Sequence, residues 1–341
     1  MNNKKSIIHA YAAQEAGAQL QPFVYEMDEL DANEVEIDVL YCGICHSDLS
    51  MIENEWGMSQ FPLVAGHEVI GKIAAIGSKV QNLKAGMTVG LGWHSGYCGH
   101  CYSCKTGDQN LCSQAESTIV AHHGGFADKV RAYASSVVAI PEGLDLEAAG
   151  PLLCGGITVF NPLVQFAVKP TDKVAVIGIG GLGHMALQFL NAWGCKVTAF
   201  TSSELKRTEA LELGAHNTLN SRDQSEIESA IDSFDFIIST VNVKLDWNLY
   251  LRTLKPKGRL HFVGATIEPL DVGVFSLLGG QKSISASPVG SPTTIEMMLE
   301  FARLHKIKPQ VEVFPMNKIN KAFDYLKTGQ AKYRIVLSNE K

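Results

Sequence analysis

The sequence predicts an α/β protein with two domains, one of which is built on a doubly wound parallel sheet. Its 341 residues exceed what a single hydrophobic core usually serves. After residue 150, apolar runs such as 173–177 and 234–240 alternate with helical patterns, as in a parallel sheet flanked by helices. Before residue 150, short runs separated by turns and glycines indicate an antiparallel, barrel-like domain.

Composition and charge exclude two broad classes of function. With 46% hydrophobic and 19% charged residues the chain suits a well-buried globule, and its net charge of −6 argues against a nucleic-acid partner. No apolar run reaches the roughly 18 residues that span a bilayer, and the N-terminal apolar stretch is short and broken by His9. We therefore expect a cytoplasmic protein, in which clustered cysteines indicate a metal rather than disulfides.

Half of the eight cysteines lie between residues 96 and 112. Cys98, Cys101, Cys104 and Cys112 follow the pattern C-x2-C-x2-C-x7-C. Such short spacings let backbone turns gather four thiolates around one zinc ion, with bonds of about 2.3 Å and no open position. The pattern therefore predicts a structural zinc site. Four unmetallated thiols are the disfavoured alternative, because this spacing seldom arises without a metal.

The other cysteines suggest a second metal site. Cys45, His67 and Cys154 would make a Cys2His set, and three protein ligands with one vacant position define a catalytic zinc. From the residues alone the choice stays open, since Cys42 competes with Cys45 and a lone histidine such as His67 is more often a hydrogen-bonded structural residue. Cys195, in an apolar strand-like run, is interpreted as a small core residue.

A glycine motif predicts a dinucleotide site of the Rossmann type. Gly178-x-Gly180-x-x-Gly183 follows an apolar strand and opens a helix, and residues 195–200 form a second strand that closes a βαβ unit. Glycines let the backbone approach a pyrophosphate, and the helix N-terminus supplies unpaired N–H groups. The expected contacts of this motif are Gly178, Gly180, Gly181, Leu182 and Gly183.

The end of the second strand favours NADP(H) over NAD(H). An NAD site usually places a carboxylate there for the ribose 2′-hydroxyl, whereas this chain reads FTSSELKR over residues 200–207. Hydroxyls and cations suit a 2′-phosphate. Glu204 is the one residue here that does not suit a 2′-phosphate, although it falls at the start of the next helix. The alternative is that Lys206 and Arg207 are only solvated charges on that helix. The candidate contacts are Thr201, Ser202, Ser203, Lys206 and Arg207.

Long strings over essentially the whole chain carry a family resemblance. They are CGICHSDLSMIENEWGMSQFPLVAGHEVIG (residues 42–71), AGPLLCGGITVF (149–160), IGIGGLGH (177–184), STVNVKLDW (239–247) and FPMNKIN (314–320). The sequence resembles the zinc-dependent medium-chain alcohol dehydrogenases of the cinnamyl-alcohol-dehydrogenase-like branch. Within that branch it is similar to bacterial broad-range NADPH-dependent aldehyde reductases.

The resemblance implies a fold and a ligand set. A GroES-like β-barrel domain would comprise residues 1–150 with 291–341, and a Rossmann domain residues 151–290. The second cysteine of CGICHSD, Cys45, would bind the catalytic zinc with His67 and Cys154. Glu68 would lie beside the metal, and Asp48 would orient the His67 ring. The cluster from Cys98 to Cys112 matches the structural-zinc lobe.

The implied reaction is reversible reduction of aldehydes to primary alcohols by hydride transfer from NADPH, in a homodimer. Ser47 matches the hydroxyl that passes a proton to the substrate oxygen. Many relatives continue the relay with a histidine where this chain has Ser50, so the route would end in serine, water or ribose hydroxyls. His46 would serve the relay or contact cofactor phosphate. Further expected cofactor contacts are Thr158, Val263, Gly264 and Arg334.

Two aromatic residues are the candidates for the wall of the substrate pocket. Trp56 and Trp93 match positions that line the substrate pocket of the family, where they would favour apolar aldehydes, and core packing is the alternative for both. Two other functions compete with the reductase. One is a metal-free enoyl or quinone reductase of the same superfamily, which would lack the zinc ligands. The other is a nucleotide-sensing binding protein whose fold is stabilised by zinc.

Overall fold

A computed structural model describes residues 5–340 of the chain. The chain divides into two compact units, Met1–Ile157 with Gly290–Lys341, and Thr158–Val289. The first unit thus extends beyond residue 150 and contains Cys154. None of the helices between residues 5 and 340 combines the length and apolar character needed to cross a bilayer.

Strands and helices follow one another along residues 5–340. The strands are β1 (Ser6–Ala12), β2 (Gln21–Met27), β3 (Glu34–Ile44), β4 (Val69–Ile76), β5 (Thr88–Leu91), β6 (His94–Gly96), β7 (Glu116–Ser117), β8 (Lys129–Tyr133), β9 (Val137–Ala139), β10 (Lys173–Ile177), β11 (Lys196–Thr201), β12 (Asn217–Asn220), β13 (Phe234–Ser239), β14 (Leu254–Phe262), β15 (Ser283–Ala286), β16 (Val311–Pro315) and β17 (Arg334–Ser338). The helices are α1 (His46–Ile52), α2 (Tyr102–Thr106), α3 (Leu146–Ala149), α4 (Gly155–Gln165), α5 (Gly183–Trp193), α6 (Glu204–Glu212), α7 (Gln224–Glu228), α8 (Trp247–Thr253), α9 (Phe275–Leu278), α10 (Pro292–His305) and α11 (Ile319–Lys327).

The first unit is organised around a mainly antiparallel sheet of order β16-β17-β3-β4-β5-β9, with β8 also paired to β3. Its central strand β3 buries Val35, Ile37 and Val39 on the face that covers a core. On the other face Asp38 is exposed, and Glu36 is buried in an ion pair with Arg131. The C-terminal strand β17 pairs antiparallel with β3, with Ile335 opposite Ile44. The chain's C-terminal segment therefore completes a sheet formed mostly by its N-terminal part.

The second unit contains a parallel six-stranded sheet of order β12-β11-β10-β13-β14-β15. Its central strands are continuous apolar runs, and Val174, Val176, Ile237 and Ile238 are buried. Such runs suit strands covered by helices on both faces. The run beginning at Ser283 forms β15, the last strand of this sheet along the chain, and it occupies an edge.

Candidate metal and nucleotide sites

Four side chains in the first unit bring metal-binding atoms together. Cys45 precedes α1, His67 and Glu68 precede β4, and Cys154 follows a short 3-10 turn at Gly150–Leu153. Their sulfur, ring-nitrogen and carboxylate atoms all lie within 4.8 Å of one another. The fold therefore gathers at one point residues that are far apart in the sequence.

The spacing of these atoms fits a tetrahedral zinc ion. The sulfurs of Cys154 and Cys45 are 3.8 Å apart, which is the edge of a tetrahedron whose bonds are about 2.3 Å. His67 Nε2 lies 3.3 Å from the sulfur of Cys154. The Cys154 thiol, though opposed by burial, lowers the pKa of Cys45 well below its usual range. Thiolate and imidazole are donors that zinc accepts readily.

Cys42 does not join this group. Its side chain is fully buried, and its sulfur packs against Gly66 and Gly125, where an added Cβ would approach it to 2.9 Å and 3.1 Å. Burial raises the pKa of the Cys42 thiol well above its usual value, so it stays protonated. The geometry thus separates the two cysteines that spacing left equivalent.

Asp48 holds the imidazole and the cysteine loop in place. Its buried carboxylate contacts His67 Nδ1 at 2.9 Å and accepts the backbone N–H groups of Gly66 and Cys45, each at 2.8 Å. Because the carboxylate accepts, Nδ1 carries the proton and the lone pair of Nε2 faces the sulfurs. This is the orientation that a metal-binding histidine needs.

Glu68 and Arg334 form a buried ion pair beside the same atoms. Arg334 donates to Glu68 Oε1 and, at 3.3 Å, to the carbonyl of Ile44. Burial raises the pKa of Glu68, and Arg334 opposes that shift. Among the residues described, nothing hydrogen-bonds to the buried Oε2 of Glu68. An orphaned carboxylate oxygen next to two thiols and an imidazole is consistent with a site for a cation. Contact of Arg334 with a cofactor phosphate stays a prediction.

Two tryptophans stand next to the imidazole. The ring of Trp93 meets that of His67 edge-on at 5.0 Å, and Trp56 meets Trp93 at 6.2 Å. Both are partly buried and pack against the core of the first unit. The aromatic pair therefore borders the metal-binding atoms and also contributes to the core.

Helix α1 carries the hydroxyl groups considered for proton transfer. Ser47 Oγ lies 3.7 Å from the sulfur of Cys45, and His46 is exposed at the helix start. Ser50 is buried and donates to Glu55 Oε2 at 2.6 Å, and Glu55 is exposed. Glu55 is not among the residues predicted from the sequence. The available signal was an acidic residue soon after the position where Ser50 replaces the usual histidine.

The cysteine cluster predicted from spacing is also assembled. The sulfur atoms of Cys98, Cys101, Cys104 and Cys112 lie within 4.8 Å of one another. Cys98 is 3.9 Å from Cys104 and 3.5 Å from Cys112, sulfur to sulfur. Backbone N–H groups of His100 and Cys101 lower the pKa of Cys98 to about 6, which favours the thiolate. These distances match the edges of a zinc tetrahedron.

In the second unit the glycine motif forms the turn between β10 and α5. Gly178 has φ +87, and a Cβ on Gly183 would come within 2.0 Å of the Gly178 carbonyl oxygen. A Cβ on Gly180 would meet nothing within 4 Å. The first and third glycines are thus required by the turn and its packing, while the second leaves backbone exposed to an approaching ligand.

The two cations after β11 differ in their contacts. Lys206 Nζ donates to the carbonyl of Ile179, within the glycine turn, at 3.1 Å. Arg207 instead makes two bonds, of 2.8 Å and 2.6 Å, to the carboxylate of Glu226 and lies 3.5 Å from Glu204. Lys206 is therefore the cation available at the glycine turn, whereas Arg207 is neutralised by carboxylates.

The remaining predicted cofactor residues occupy different parts of the second unit. Thr201 ends β11 and is buried, Ser202 is exposed, and the Ser203 hydroxyl caps α6. Val263 donates to the carbonyl of Ser239, while Gly264 and Gly178 pack against Val241. The structure thus brings Gly264 near the glycine turn. Thr158 lies in α4 and is nearly buried.

Known proteins match the chain over most of its length. The family described as alcohol dehydrogenase GroES-like domain matches residues 31–142, and the family described as zinc-binding dehydrogenase matches residues 181–303. Aldehyde reductase AdhA of Synechocystis sp. is 63% identical over 98% of this chain and 100% of its own length. Probable cinnamyl alcohol dehydrogenase 6 of Arabidopsis thaliana is 39% identical over 96% and 93%.

The chain is a zinc-binding, medium-chain alcohol dehydrogenase of the cinnamyl-alcohol-dehydrogenase-like branch. Solved structures agree with this membership. A cinnamyl alcohol dehydrogenase of Sorghum bicolor superposes with a TM-score of 0.94 at 38% identity, covering 98% of this chain and 99% of that one. The cinnamyl alcohol dehydrogenase of Helicobacter pylori, complexed with NADP(H), gives 0.90 at 29% identity with the same coverage.

Membership confirms the predicted fold class and the enzyme class. The dehydrogenase combines a GroES-like domain with a Rossmann-type parallel sheet, and it is an oxidoreductase. The metal-free reductase and the nucleotide-sensing protein are not favoured, since the matching family is described as a zinc-binding dehydrogenase and both cysteine groups are assembled.

Proposed function

We propose that this dehydrogenase reversibly reduces a broad range of aldehydes to primary alcohols, with NADPH as the hydride donor. The observation that carries the proposal is the group of half-buried Cys45 with buried His67 and Cys154, in which the sulfurs are 3.8 Å apart and Asp48 orients the imidazole. The aldehyde reductase at 63% identity supports the reaction, and the Helicobacter pylori relative with NADP(H) supports the cofactor.

We assign Cys45, His67 and Cys154 as ligands of the catalytic zinc. When bound, such an ion polarises a carbonyl oxygen and stabilises the negative charge that develops there. Neighbouring side chains orient the ligands and balance the charge of the site. Asp48 fixes the tautomer of His67, and the Arg334 guanidinium neutralises Glu68, so that the site holds no uncompensated carboxylate. The cluster from Cys98 to Cys112 would hold a structural zinc, which would stabilise its loop and take no part in the reaction.

Proton transfer is assigned to α1. Ser47 Oγ, 3.7 Å from the sulfur of Cys45, would donate its proton to the substrate oxygen. Ser50 Oγ and the exposed Glu55 carboxylate, joined by a bond of 2.6 Å, offer a way for protons to reach solvent without the usual histidine. His46, exposed at the start of α1, would contact cofactor phosphate.

For NADPH, the glycine turn would bind the pyrophosphate through the backbone at Gly180, Gly181 and Leu182. The hydroxyls of Thr201, Ser202 and Ser203 would surround the 2′-phosphate with Lys206. The bound cofactor supplies the hydride. In our proposal Arg207 contributes little to this site, because its guanidinium is already hydrogen-bonded to the Glu226 carboxylate. Thr158, Val263, Gly264 and Arg334 stay candidate contacts.

The edge strand of the second unit supports a homodimer. β15 lies at the edge of the parallel sheet, and the segment before it exposes Val274, Phe275 and Leu278. Unpaired edges flanked by apolar side chains favour strand-to-strand association. We propose pairing of two such edges, which light scattering would test by mass. The thiol ligands must be reduced, which favours the cytoplasm.

The domain and pocket assignments follow from the same reasoning. We propose that the first unit is the catalytic domain and the second the nucleotide-binding domain, close to the predicted limits of 1–150 with 291–341 and 151–290. Trp56 and Trp93 would line the substrate pocket, because Trp93 lies against the His67 ring. Large aromatic walls favour apolar aldehydes over polar ones.

The decisive experiment is NADPH oxidation by the purified protein with benzaldehyde and with a short aliphatic aldehyde, before and after a chelator. We expect turnover with both, loss of turnover on chelation, and recovery on adding zinc. Metal analysis should give two zinc ions per chain. Absence of turnover with every aldehyde and alcohol, in zinc-replete protein, would overturn the proposal.

Cofactor choice gives a second prediction. Lys206→Ala should reduce the preference for NADPH over NADH about tenfold or more, since a hydrogen bond to a charged group contributes roughly 1.5–3 kcal/mol. Arg207→Ala is the matched control one residue away and should change the preference less than about threefold, because Arg207 is already paired with Glu226 in a half-buried, solvent-accessible ion pair. Ratios of kcat/KM for the two coenzymes measure both effects. An equal loss in the two variants would contradict the assignment of Lys206.

A further inference from the structure

His184 is a buried polar residue that the proposed reaction does not use. It is the second residue of α5, its side chain has no exposed surface, and it directly follows Gly183 of the glycine turn. Its ring Nδ1 lies 3.1 Å from the carbonyl oxygen of Gly180, which also accepts the backbone N–H of His184 at 3.0 Å. A carbonyl oxygen only accepts, so Nδ1 carries the proton in this contact.

This bond sets the direction of a neighbouring N–H group. The peptide between Gly180 and Gly181 is trans, so its C=O and N–H point in opposite directions. The backbone and ring bonds of His184 hold the carbonyl on the side of the turn that faces α5. The N–H of Gly181 is then directed to the other side. A Cβ on Gly180 would meet nothing within 4 Å, so the turn is open to a ligand at that residue.

We propose that His184 is a positioning residue for the cofactor pyrophosphate, acting through the Gly180–Gly181 peptide. Glycine is the residue with the most backbone freedom, and Gly180 has no side chain to restrain this peptide. The backbone N–H of His184 already restrains the Gly180 carbonyl, and the ring bond adds a second restraint that keeps the Gly181 N–H oriented before the cofactor binds. The proposal rests on the dinucleotide binding proposed above.

Three variants separate this role from simple packing. His184→Leu removes the donor and keeps most of the volume. His184→Asn keeps a donor, because Asn Nδ2 is the same number of bonds from the backbone as His Nδ1. Gln188→Leu is the control one turn further along α5, where Gln188 Nε2 donates to the carbonyl of His184 at 3.3 Å. It removes a bond of the same kind away from the glycine turn.

The experiment measures dissociation constants by calorimetry for NADPH and for adenosine 2′-monophosphate, which lacks a pyrophosphate. We expect His184→Leu to weaken NADPH roughly five- to tenfold, the size of one lost hydrogen bond, and to leave the nucleotide fragment unchanged. His184→Asn should stay within about twofold of the wild type, and Gln188→Leu should match it. In turnover, His184→Leu should raise KM for NADPH while kcat is kept.

Several outcomes would overturn the proposal. Unchanged NADPH affinity in His184→Leu would do so, as would an equal loss for NADPH and the fragment, or an asparagine variant as weak as the leucine variant. If thermal unfolding shows that His184→Leu is not folded, the dissociation constants for NADPH and for the fragment are compared in His184→Ala instead. A wild-type protein that binds neither NADPH nor NADH would overturn both proposals. Tight NADPH binding without aldehyde reduction would remove only the proposed function.

Discussion

The two metal-binding groups of this protein are built in opposite ways. Cys98, Cys101, Cys104 and Cys112 come from one loop, and three of them are only partly buried. Cys45, His67 and Cys154 come from three separate segments. There His67 is fully buried, with an aspartate, a glutamate and an arginine arranged around the ligands. The local group, as we call the four cysteines of the loop, needs only its own turns, whereas the distant group of Cys45, His67 and Cys154 needs the whole first unit to form. In our proposal, this difference separates a stabilising site from a reactive one.

Removing a ligand from the distant group should have the largest effect. Cys154→Ser replaces a thiolate with a poor zinc ligand, so we expect kcat/KM for aldehyde reduction to fall by about a thousandfold or more, since the ion contributes several kcal/mol to transition-state stabilisation. Zinc content should fall from two to one per chain. Cys195→Ser, a buried cysteine outside both groups, is the control. Retained activity in Cys154→Ser would contradict the ligand set.

The second prediction concerns the carboxylate behind the imidazole. Asp48→Asn keeps the shape but replaces an ionised acceptor that receives three contacts. We expect zinc affinity at the distant group to fall roughly 10- to 100-fold, as for other partners of metal-binding histidines. Competition with a chromophoric chelator measures this. The local group, which has no such carboxylate in its set, should keep its zinc, and equal release from both groups would show that the comparison is wrong.

Removing a ligand from the local group should act on stability. Cys101→Ser leaves three thiolates in the partly exposed loop. We therefore expect the midpoint temperature of thermal unfolding to fall on the order of 5 °C or more, because structural zinc contributes to the free energy of folding. At low temperature kcat/KM should stay within about twofold of the wild type. Thermal unfolding and NADPH oxidation on the same preparation test this pair of expectations. Loss of activity without loss of stability would assign chemistry to the loop.

The same contrast explains what the sequence could predict. The local site follows from spacing, because its cysteines are close enough in the chain for turns to assemble them. The choice of Cys45 over Cys42 does not follow from spacing, since the two are three residues apart. It depends on which sulfur faces His67 and which packs against Gly66, and only the folded sheet determines that.

Other parts of the structure show the same division. The parallel sheet is predictable because buried strands and the glycine turn leave strong local patterns. The pairing of Arg207 with Glu226, and the reach of Lys206 to Ile179, depend on helix placement. Residue type alone made the two cations equivalent. Likewise Arg334 is a strand residue in the sequence, and its ion pair with Glu68 exists because β17 pairs with β3.

The smallest expected effect concerns how the buried site exchanges protons with solvent, a need that the local group does not have. Glu55→Gln keeps a hydrogen-bond acceptor for Ser50 but cannot take up a proton, so we expect kcat for alcohol oxidation to fall about three- to tenfold. This is less than the roughly 100-fold or more of a general base that acts directly on the substrate, because Glu55 would act through Ser50. Raising the concentration of a small buffer base such as imidazole should restore part of the rate. The matched control is Glu53→Gln, a nearby carboxylate that pairs with Lys327 instead. If neither kcat nor its dependence on buffer changes in Glu55→Gln, protons leave the buried site by another route, and the bond between Ser50 and Glu55 serves only to hold the end of α1.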